Sequence, residues 1–304
     1  MATTEQIVTM PIEHPETGKR MRGFRFAGKY DRLQGGKLDD WKGVADPARF
    51  IAQRGISFQA ELYALALKHK GIEVREIEYR LITRPTIKLC SKDTDADAYR
   101  QRCLDWILAD PAKMVSHTLI LASGRLKQAQ WYLWNCCQRL RECRKHSRWL
   151  PNSKACYAWE RECPYLSLCE CVAAEGDELW VIEEGYHVLP GPHSELGDAG
   201  FDDRIVTHSS LETLTLCDVR YYWRYPCKYR KGSEQSDALR IGSAMHAGIA
   251  TYAEGGEEAA IQAINEWEEA NPVLGEQNGQ RRDQEVARAT AMVMAAAIKW
   301  PFEE

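Results

Sequence analysis

The segment at 28–43, GKYDRLQGGKLDDWKG, restricts the fold more than any other part of this sequence. Gly35 and Gly36 supply turn material between two short runs that are rich in apolar and aromatic residues. Runs of this kind, separated by glycines, predict two strands at Gly23–Leu33 and Lys37–Lys42. A chain with this pattern is expected to build its core around a sheet.

The two predicted strands bring charged residues together. Asp31 ends the first strand, and Asp40-Trp41-Lys42 lies on the second. Hard divalent cations prefer oxygen ligands, so Asp31, Asp40 and the Trp41 carbonyl could hold Mg²⁺ or Mn²⁺. Because side chains alternate along a strand, Lys42 points to the same side as Asp40 and could orient a water or offset charge on a phosphate. A hairpin with ordinary surface charges fits the same spacing.

The remaining pattern predicts an α/β fold in which a helical part follows the sheet. An alternating strand is predicted at Ile72–Thr83, after a helix at Ser57–Lys70 with its apolar residues on one face. From Ser209 onward the periodicity is almost entirely helical. The further elements predicted are a strand at Glu5–Ile12, helices at Thr94–Ala109 and Arg125–Ser147 with a strand at His117–Ala122 between them, and helices at Ser209–Tyr222, Ala238–Glu254, Glu257–Ala270 and Arg281–Trp300.

Charge and hydropathy exclude several classes of protein. The net charge of −4 gives no overall signature of nucleic-acid binding, so any basic surface must be local. The apolar run Ala289–Ile298 is too short to cross a bilayer. The first residues show no basic region followed by an apolar stretch, so we expect neither secretion nor insertion in a membrane.

The cysteines point towards a metal or a cluster. There are 11 of them, an odd number that includes the adjacent pair Cys136–Cys137, and this fits a disulfide framework poorly. In a reducing compartment, clustered cysteines more often bind a metal or an iron–sulfur cluster. Several lie in a predicted loop at Cys156–Cys171, which is followed by Ala173–Asp203, an acidic stretch that we interpret as a solvated connector.

The helix after the acidic strands carries the next part of the pattern. Gln59 and Tyr63, in SFQAELYALAL, lie one helical turn apart on the same face. The order of these elements resembles motifs II, III and IV of the RecB-like branch of the PD-(D/E)XK nucleases. The three motifs correspond to a strand with Asp31, a strand with Asp40-x-Lys42 and a helix with Gln-x3-Tyr. The following segments, EIEYRLITRPTIKLC and TDADAYRQRCLDWI, are similar to phage-type exonucleases of this superfamily.

This resemblance implies a restriction-endonuclease-like fold, with a mixed central sheet flanked by helices. It also implies a DNA nuclease that depends on Mg²⁺ or Mn²⁺. The residues to which it gives catalytic roles are Asp31, Asp40, Lys42, Gln59, Tyr63 and, from the later helical part, His246. The metal ligands that it implies are Asp31, Asp40, the Trp41 carbonyl and His246.

The opening helices of the family, which precede the sheet motifs, are matched at the other end of this chain. THSSLETLTLCDVRYYWRYP resembles the first of these helices, with Cys217 in the position of the first cluster ligand. ALRIGSAMHAGIATYAEG resembles motif I, with His246 after a small-residue turn. Read as 207–304 followed by 1–171, the chain follows the order of the family. As written, it is similar to a circular permutant.

Two distances follow from this interpretation. Glu304 and Met1 should lie near each other, and His246 should lie within about 5 Å of the carboxylates of Asp31 and Asp40, given ligand bonds of about 2 Å. A helical unit that followed the sheet as an independent domain would meet neither condition. The divisions expected are a nuclease sheet core at 1–122, a basic helix and cysteine-rich region at 123–171, an acidic connector at 172–206 and a helical part carrying motif I at 207–304.

Four cysteines could be gathered in such a permuted fold. The spacing Cys156-x6-Cys163-x5-Cys169 resembles the C-terminal cysteine triplet of the iron–sulfur members of the superfamily, with Cys217 as the fourth ligand. The resemblance implies a 4Fe–4S cluster that staples the helical region. Zinc suits four thiolates as well, and simple buried thiols are a further alternative. Cys171 could take the place of Cys169.

Two stretches are basic against the acidic average. Val219–Lys231 has five basic residues, five aromatic residues and no acid, and Arg125–Arg148 has seven basic residues and one acid. Basic side chains pair with phosphates and aromatic rings stack on unpaired bases, so both stretches fit a track for single-stranded nucleic acid. Solvated helix faces fit them too. The candidate nucleic-acid contacts are Arg139, Arg141, Arg220, Tyr222, Arg224 and Lys228.

These patterns and the resemblance together predict a deoxyribonuclease, an exonuclease acting on single-stranded DNA ends in recombination, repair or phage DNA processing. The expected location is the cytoplasm of a bacterium or of a phage-infected cell. Because the sequence has no P-loop or helicase motif, strand separation would need a helicase or recombinase partner. The alternatives are a nucleic-acid-binding protein with an iron–sulfur cluster or zinc and no turnover, and a zinc-stapled scaffold protein.

Overall fold

A computed structural model of the chain describes residues 3–54, 57–158, 162–189, 204–231, 237–271 and 278–301, together with residues 191, 193, 196 and 202. The expected proximity of Met1 and Glu304 concerns residues outside these ranges. Across the described residues, no helix combines the length and the apolar character that a membrane span requires.

The centre of the fold is a mixed sheet of six strands. Five of them follow one another across the sheet in chain order, and a short sixth strand from the second half of the chain pairs with β2. The strands of this sheet are β1 (Thr3–Glu13), β2 (Arg20–Gln34), β3 (Lys37–Val44), β4 (Glu76–Thr83), β5 (Met114–Ile120) and β7 (Ile205–Val206), while β6 (Tyr186–Val188) and β8 (Tyr229–Lys231) form a separate pair.

The directions of the strands make the sheet mixed, as predicted. The pairs β3–β4 and β2–β7 are parallel, whereas β1–β2, β2–β3 and β4–β5 are antiparallel. Parallel neighbours need a crossover connection. The chain between β3 and β4 supplies it with two helices.

Ten helices lie around the sheet in the described part of the chain. They are α1 (Pro47–Arg54), α2 (Gln59–His69), α3 (Ala96–Leu108), α4 (Ser123–His146), α5 (Leu166–Ala173), α6 (Glu178–Gly185), α7 (His208–Leu216), α8 (Asp218–Arg224), α9 (Asp237–Ala270) and α10 (Asn278–Lys299). α9 bends at Gly256, where φ is 70°. A glycine tolerates this conformation, and the bend explains why the sequence predicts two helices here.

Both faces of the sheet are covered by helices from both halves of the chain. On β3, Leu38 and Val44 point into a core that includes residues of α2, α4, α7 and α8. Trp41 points the opposite way, into a core with residues of α3, α9 and α10. Strand alternation therefore divides one sheet between two cores. Among the described residues, α7, α9 and α10 share these two cores with the sheet. Trp223 of α8 also packs with Leu168 of α5 in a smaller cluster.

The middle of the chain contains more secondary structure than its acidic composition predicts. The stretch interpreted as a connector forms α6 and β6 at 178–188, although most of its side chains at 173–188 are exposed. Asp177 caps α6 by accepting hydrogen bonds from Leu179 N and Trp180 N, and Tyr186 on β6 stacks on Tyr165 with 5.8 Å between ring centroids. A helix cap and a half-buried tyrosine thus organise a segment whose charge alone indicates only solvation.

Three further differences are local. The predicted cysteine-rich loop ends in a helix, α5, which carries Cys169 and Cys171. The helical run expected from Ser209 is interrupted by β8, because this strand pairs with β6. The sequence analysis also missed α1, although its start is marked by Asp46, which accepts hydrogen bonds from two backbone N–H groups of the first turn.

Candidate functional site

The candidate site lies where β2 and β3 stop pairing. The cross-strand pairs join Arg32–Gln34 to Lys37–Asp39 and end there. Asp31 and Asp40 come next on the two strands and border an opening. The Trp41 N–H donates a hydrogen bond to Asp31 Oδ2 at 2.7 Å. The Asp31 carboxylate thus satisfies a backbone donor, which fixes it in the opening.

Lys42 lies beside the two carboxylates, on the side that strand alternation predicts. Its Nζ donates to Asp40 Oδ1 at 2.7 Å, and the two side chains are 24% and 13% exposed. Burial lowers the pKa of Lys42, but the charges of Asp40 and Asp31 outweigh burial and hold it above its ordinary value. Lys42 is therefore a fixed positive charge at neutral pH.

The two carboxylates are held in an environment that disfavours their charge. Burial raises the pKa of Asp31 although Lys42 and the Trp41 N–H oppose this effect. Burial also raises the pKa of Asp40, where Lys42 opposes the shift and the charge of Asp31 adds to it. Two nearby carboxylates with raised pKa values are stabilised by any further positive charge. A cation in the opening would therefore offset the cost of burying these two charges.

His246 reaches the same opening from α9. Its Nδ1 lies 3.5 Å from Asp31 Oδ2. The sequence interpretation required a separation of about 5 Å or less, given ligand bonds of about 2 Å. His246 also acts on Asp40, whose pKa it lowers against the larger effect of burial. The fold thus places an imidazole beside two carboxylates that are far from it in sequence.

Gln59 and Tyr63, which helical spacing predicts to be neighbours, are hydrogen-bonded on α2. Gln59 Nε2 donates to Tyr63 Oη at 3.0 Å. Burial raises the pKa of Tyr63 to about 12, and Lys42, Asp40 and Asp31 lie close enough for their charges to act on it. The pair therefore borders the charged opening, and Tyr63 stays protonated at neutral pH.

The ring of Tyr63 lies directly on Gly28 of β2. A Cβ atom at this glycine would be 2.3 Å from Tyr63 Cε1. We expect Gly28→Ala to lower the free energy of unfolding by about 1–3 kcal/mol, because the ring cannot move without strain in a packed core. Urea unfolding measures this change.

Gly124→Ala is the matched control for this substitution. Among the described residues no atom lies within 4 Å of a Cβ added at Gly124. The helix α4 begins at Ser123, so alanine should leave stability unchanged or raise it by about 0.5–1 kcal/mol. Equal stability of the Gly28 and Gly124 variants would contradict the close contact with Tyr63.

The opposite face of β3 holds a charged network that the sequence analysis did not single out. Asp39 Oδ2 lies 3.3 Å from Arg80 Nη2 and 3.8 Å from Arg32 Nη1. The Arg80 guanidinium also packs over two rings, at 4.8 Å from the Trp41 centroid and 5.9 Å from the Trp300 centroid. These contacts join β2, β3 and β4 beside the point where pairing ends. They fix the backbone from which Asp40 and Lys42 project.

A second charged network lies on α9, six positions before His246. The Arg240 side chain is 4% exposed and bonds to Glu268 and Glu285, which are 0% and 1% exposed. It joins the two halves of the bent α9 to α10. No local pattern in the sequence predicts this network, because its three members are far apart and each resembles a surface charge.

The predicted cluster ligands lie in one region. Cys217 is at the junction where α7 ends and α8 begins, and the Asn152 side chain donates to the adjacent Leu216 carbonyl at 2.8 Å. Burial and, to a smaller extent, the three other thiols raise the pKa of Cys169 to about 11. The four neighbouring thiols are those of Cys156, Cys163, Cys169 and Cys217.

Neither group of candidate ligands is arranged around a common point. Within the described ranges, no three or more His, Cys, Asp or Glu side chains are placed so that they could hold a metal ion. In the β2–β3 opening, Asp31 Oδ2 is bonded to the Trp41 N–H and Asp40 Oδ1 is bonded to Lys42. Shared coordination by both carboxylates requires these side chains to turn.

The residues predicted to contact nucleic acid lie in different parts of the surface. Tyr222 and Lys228 line an open cavity beside the end of α4. Arg139 lies outside it, paired with Asp218 at 2.8 Å and 47% exposed. The predicted set is therefore not one continuous row.

The other three arginines of the set differ in exposure. Arg141 is exposed and donates to the Arg22 carbonyl at 3.4 Å. Arg220 and Arg224 are half-buried, and both lower the pKa of Tyr165 against the larger effect of burial. Within the described part of the chain, the Nε atoms of these two have no hydrogen-bond partner.

Comparison with known proteins adds a finding about the second half of the chain. Residues 205–303 match the family model of the PD-(D/E)XK nuclease superfamily. The match covers about a third of the chain. No curated protein and no solved structure matches it.

The segment that matches the PD-(D/E)XK superfamily carries only part of the candidate site. It contains Cys217, His246 and the basic–aromatic stretch at 219–231, whereas Asp31 and Asp40 precede it. The fold brings the two parts together through the 3.5 Å approach of His246 to Asp31. The site is therefore made of residues inside and outside the matched segment.

Proposed function

We propose that this protein is a metal-dependent deoxyribonuclease that hydrolyses phosphodiester bonds at the β2–β3 opening. The observation that carries the proposal is the 3.5 Å distance between His246, in a segment that matches a nuclease superfamily, and Asp31, outside it. Chain entropy opposes the meeting of residues so far apart in sequence, so a packed interface must hold them together.

Asp31, Asp40, the Trp41 carbonyl and His246 would hold the divalent cation. Carboxylate and carbonyl oxygens suit Mg²⁺ and Mn²⁺, the ions typical of this superfamily, and imidazole is a common ligand of transition metals. The raised pKa values of both aspartates support this assignment, because a cation offsets the cost of burying their charge. When bound, the cation supplies positive charge beside the phosphate oxygens.

The other residues of the opening would act on the water and the substrate. Lys42 carries a fixed positive charge, which can orient the attacking water and stabilise negative charge on the phosphate. The Gln59–Tyr63 pair borders Lys42 and would hold either this lysine or the substrate strand. A protonated Tyr63 can donate a hydrogen bond to a phosphate oxygen.

The proposed substrate is the end of a single DNA strand, as the resemblance to RecB-like and phage-type exonucleases implies. The basic and aromatic residues of 219–231 and 125–148 support this choice, since both kinds of side chain bind unpaired strands. Strand separation would come from a helicase or recombinase partner. The cytoplasm of a bacterium or phage-infected cell is the proposed location.

The proposal includes a permuted order of one nuclease domain, with the sheet core at 1–122 and motif I in 207–304. The two parts share the cores on both faces of the sheet, which supports one folded unit. The position of the matched segment, after the aspartates in the chain, also supports it.

A 4Fe–4S cluster on Cys156, Cys163, Cys169 and Cys217 is the second part of the proposal, with zinc as the alternative. Cys156 and Cys217 lie close enough to act on the pKa of both Cys163 and Cys169, and four neighbouring thiols form a donor set that fits either group. Their side chains would have to turn towards a common centre. Bound there, the group would join α5 to the junction of α7 and α8.

We expect Cys217→Ser to remove the brown colour of the cluster and to lower the melting temperature together, because ligand energy at such a site becomes folding energy. Visible absorption, iron and zinc analysis and thermal unfolding measure these changes. Cys90→Ser is the matched control, since Cys90 is an exposed thiol outside the group. Unchanged metal content in the Cys217 variant would exclude this residue as a ligand.

The activity itself is tested with end-labelled single strands and duplexes of equal length. We expect Mg²⁺ or Mn²⁺ to support cleavage, chelation to stop it, and single strands to be degraded to mononucleotides faster than duplexes. Strand binding without release of nucleotides under any of these conditions would contradict the proposal and favour the non-catalytic binding protein.

A further inference from the structure

The cavity beside the end of α4 is separate from the β2–β3 opening and has no role in the proposed chemistry. Its volume is about 510 Å³, and its walls come from the end of α4, from α8 with the turn that follows it, and from β7. This volume lies in the range of pockets that bind small organic groups. The chemistry of the lining indicates which group fits.

Aromatic rings form one side of the cavity. Trp149 lies 5.1 Å from Tyr222 and 6.0 Å from Tyr221, measured between ring centroids. Tyr221 is buried, whereas Trp149 and Tyr222 are half-buried and each keeps part of its surface in the cavity. A flat ligand can therefore stack on these two rings. Every nucleobase offers such a flat face.

Positive charge also lines the cavity. Arg144, in the last turn of α4, and Lys228, in the turn before β8, both line the cavity. Among the described lining residues there is no carboxylate. An aromatic wall with cations and no acid favours a ligand that combines a flat ring with a negative charge, as a nucleotide does.

The backbone of Lys228 supports a role for its side chain. Its φ is 62°, in the left-handed region that disfavours residues with a Cβ. Ser147 and Glu175 have similar φ values of 49° and 54°, but both follow the ends of helices, where this conformation is common. Lys228 does not end a helix. Glycine would fit its position better, so the lysine side chain is kept at a cost.

The distance from the opening determines which nucleotide the cavity could hold. Ile205, in the cavity wall, pairs with Arg25 on β2, and Asp31 lies six residues further along this strand. At about 3.3 Å per residue the separation is roughly 20 Å. This is too far for the nucleotide whose phosphate lies between Asp31 and Asp40.

We propose that this cavity binds an unpaired base, with its phosphate, several nucleotides away from the cleaved bond on the same DNA strand. The base stacks on Trp149 and Tyr222, and the phosphate is paired by Arg144 and Lys228. The cavity then acts as an anchor that holds the strand in position. This inference rests on the proposed nuclease function, which it deepens by placing a second nucleotide site.

The test measures binding of short DNA overhangs to the whole protein without divalent metal. Each single-stranded overhang extends from a DNA hairpin, which is at the 5′ end in one series and at the 3′ end in the other. Within a series, each overhang carries one abasic site at a different position. We expect one or two adjacent abasic positions to raise the Kd about fivefold or more, because they remove a stacked base. All other positions should give smaller effects.

Variants assign this effect to the cavity. Trp149→Ala should abolish the dependence on the abasic position, and Trp149→Phe, which keeps a ring, should retain it. Lys228→Gly should weaken binding and reduce the slope of log K against log salt by about 0.7, the value for one lost phosphate contact on a single strand. The same variant should melt at an equal or higher temperature than the wild type, since glycine adopts the left-handed backbone conformation without strain.

Two controls separate binding from stability. Glu175 has the same left-handed backbone conformation but lies outside the cavity. Glu175→Gly relieves the backbone strain there and should raise the melting temperature without weakening DNA binding. Trp180→Ala removes a tryptophan that is 62% exposed on α6 and should leave the abasic profile unchanged.

The outcomes distinguish this inference from the proposed function. An abasic profile that is flat in the wild type, or that persists in Trp149→Ala, overturns the nucleotide site, and so does unchanged binding by Lys228→Gly. Metal-dependent cleavage is measured separately on the same strands. Its absence together with a position-dependent profile would overturn the nuclease and leave the nucleotide site in place.

Discussion

Asp40→Asn is expected to lower metal-dependent cleavage of single-stranded DNA by a factor on the order of 10³, the scale of losing an electrostatic group at a reacting phosphate. Asparagine keeps the volume of the side chain but removes the negative charge, so it binds a divalent cation poorly. The variant should stay folded, because Asp31 remains to balance Lys42. Cleavage rates at saturating Mn²⁺ and thermal unfolding measure the two effects.

A surface aspartate provides the control for this substitution. Asp97→Asn makes the same chemical change on α3, where the side chain is 78% exposed, and should leave cleavage unchanged. Strand binding without metal should be similar in both variants and in the wild type. Cleavage by Asp40→Asn at the wild-type rate would refute the assignment of the opening as the active site. If Asp40→Asn does not fold, the same cleavage measurement on Lys42→Met tests this assignment.

Arg240→Met is expected to lower the free energy of unfolding by about 3–5 kcal/mol, the typical effect of removing one partner from a buried ion pair. Arg240 Nε donates to Glu285 Oε2 at 2.6 Å, Nη1 donates to the Asn271 carbonyl at 2.6 Å, and Nη2 bonds to Glu268. Without the guanidinium, two buried carboxylates lose their counter-charge. Urea unfolding at pH 7 measures the change.

A surface arginine between the same two helices is the matched control. Arg282 on α10 pairs with Glu269 on α9 at 3.1 Å, but the side chains are 40% and 68% exposed. Arg282→Met should therefore change stability by no more than about 1 kcal/mol. Adding Glu268→Gln and Glu285→Gln to Arg240→Met should restore much of the lost stability, because no charge then remains buried.

The pH dependence of Arg240→Met separates lost charge balance from lost packing. Burial raises the pKa of Glu268, and Arg240 opposes this shift. Removal of Arg240 raises this pKa further above its unfolded value, so protonation of Glu268 favours the folded variant. The deficit relative to the wild type should shrink as the pH falls towards the ordinary range of a glutamate. A deficit that is constant with pH would indicate a packing effect alone.

The part of the site that could be predicted from the sequence depends on short-range geometry. The hairpin between β2 and β3 fixes Asp31 opposite Asp40, and strand alternation puts Lys42 beside Asp40. The helical repeat brings Gln59 to Tyr63. In each case the partners belong to one hairpin, one strand or one helix, and the regular geometry of that element fixes their relative positions. Sequence spacing is therefore enough to predict the contact.

Short-range signals also explain two errors. The acidic composition at 173–203 predicts a solvated connector, yet Asp177 caps α6 and Tyr186 stacks on Tyr165. Composition describes the average environment of a segment, whereas a single cap or a single stacked ring can order it. The start of α1 is marked in the sequence by Asp46, whose carboxylate accepts a hydrogen bond from the Ala48 N–H.

Spacing and periodicity were enough to predict most of the strands and helices, the mixed sheet and the neighbours within one hairpin or one helix, but not α1, α6, β6 or β8. The meeting of His246 with Asp31, the position of Cys217 beside the other three thiols and the burial of Arg240 between two glutamates depend on the tertiary structure. The physical reason is that periodicity fixes which face of an element is apolar, but not which distant element covers it. That choice depends on packing of whole side chains across the two faces of the sheet, and no spacing within one segment encodes it.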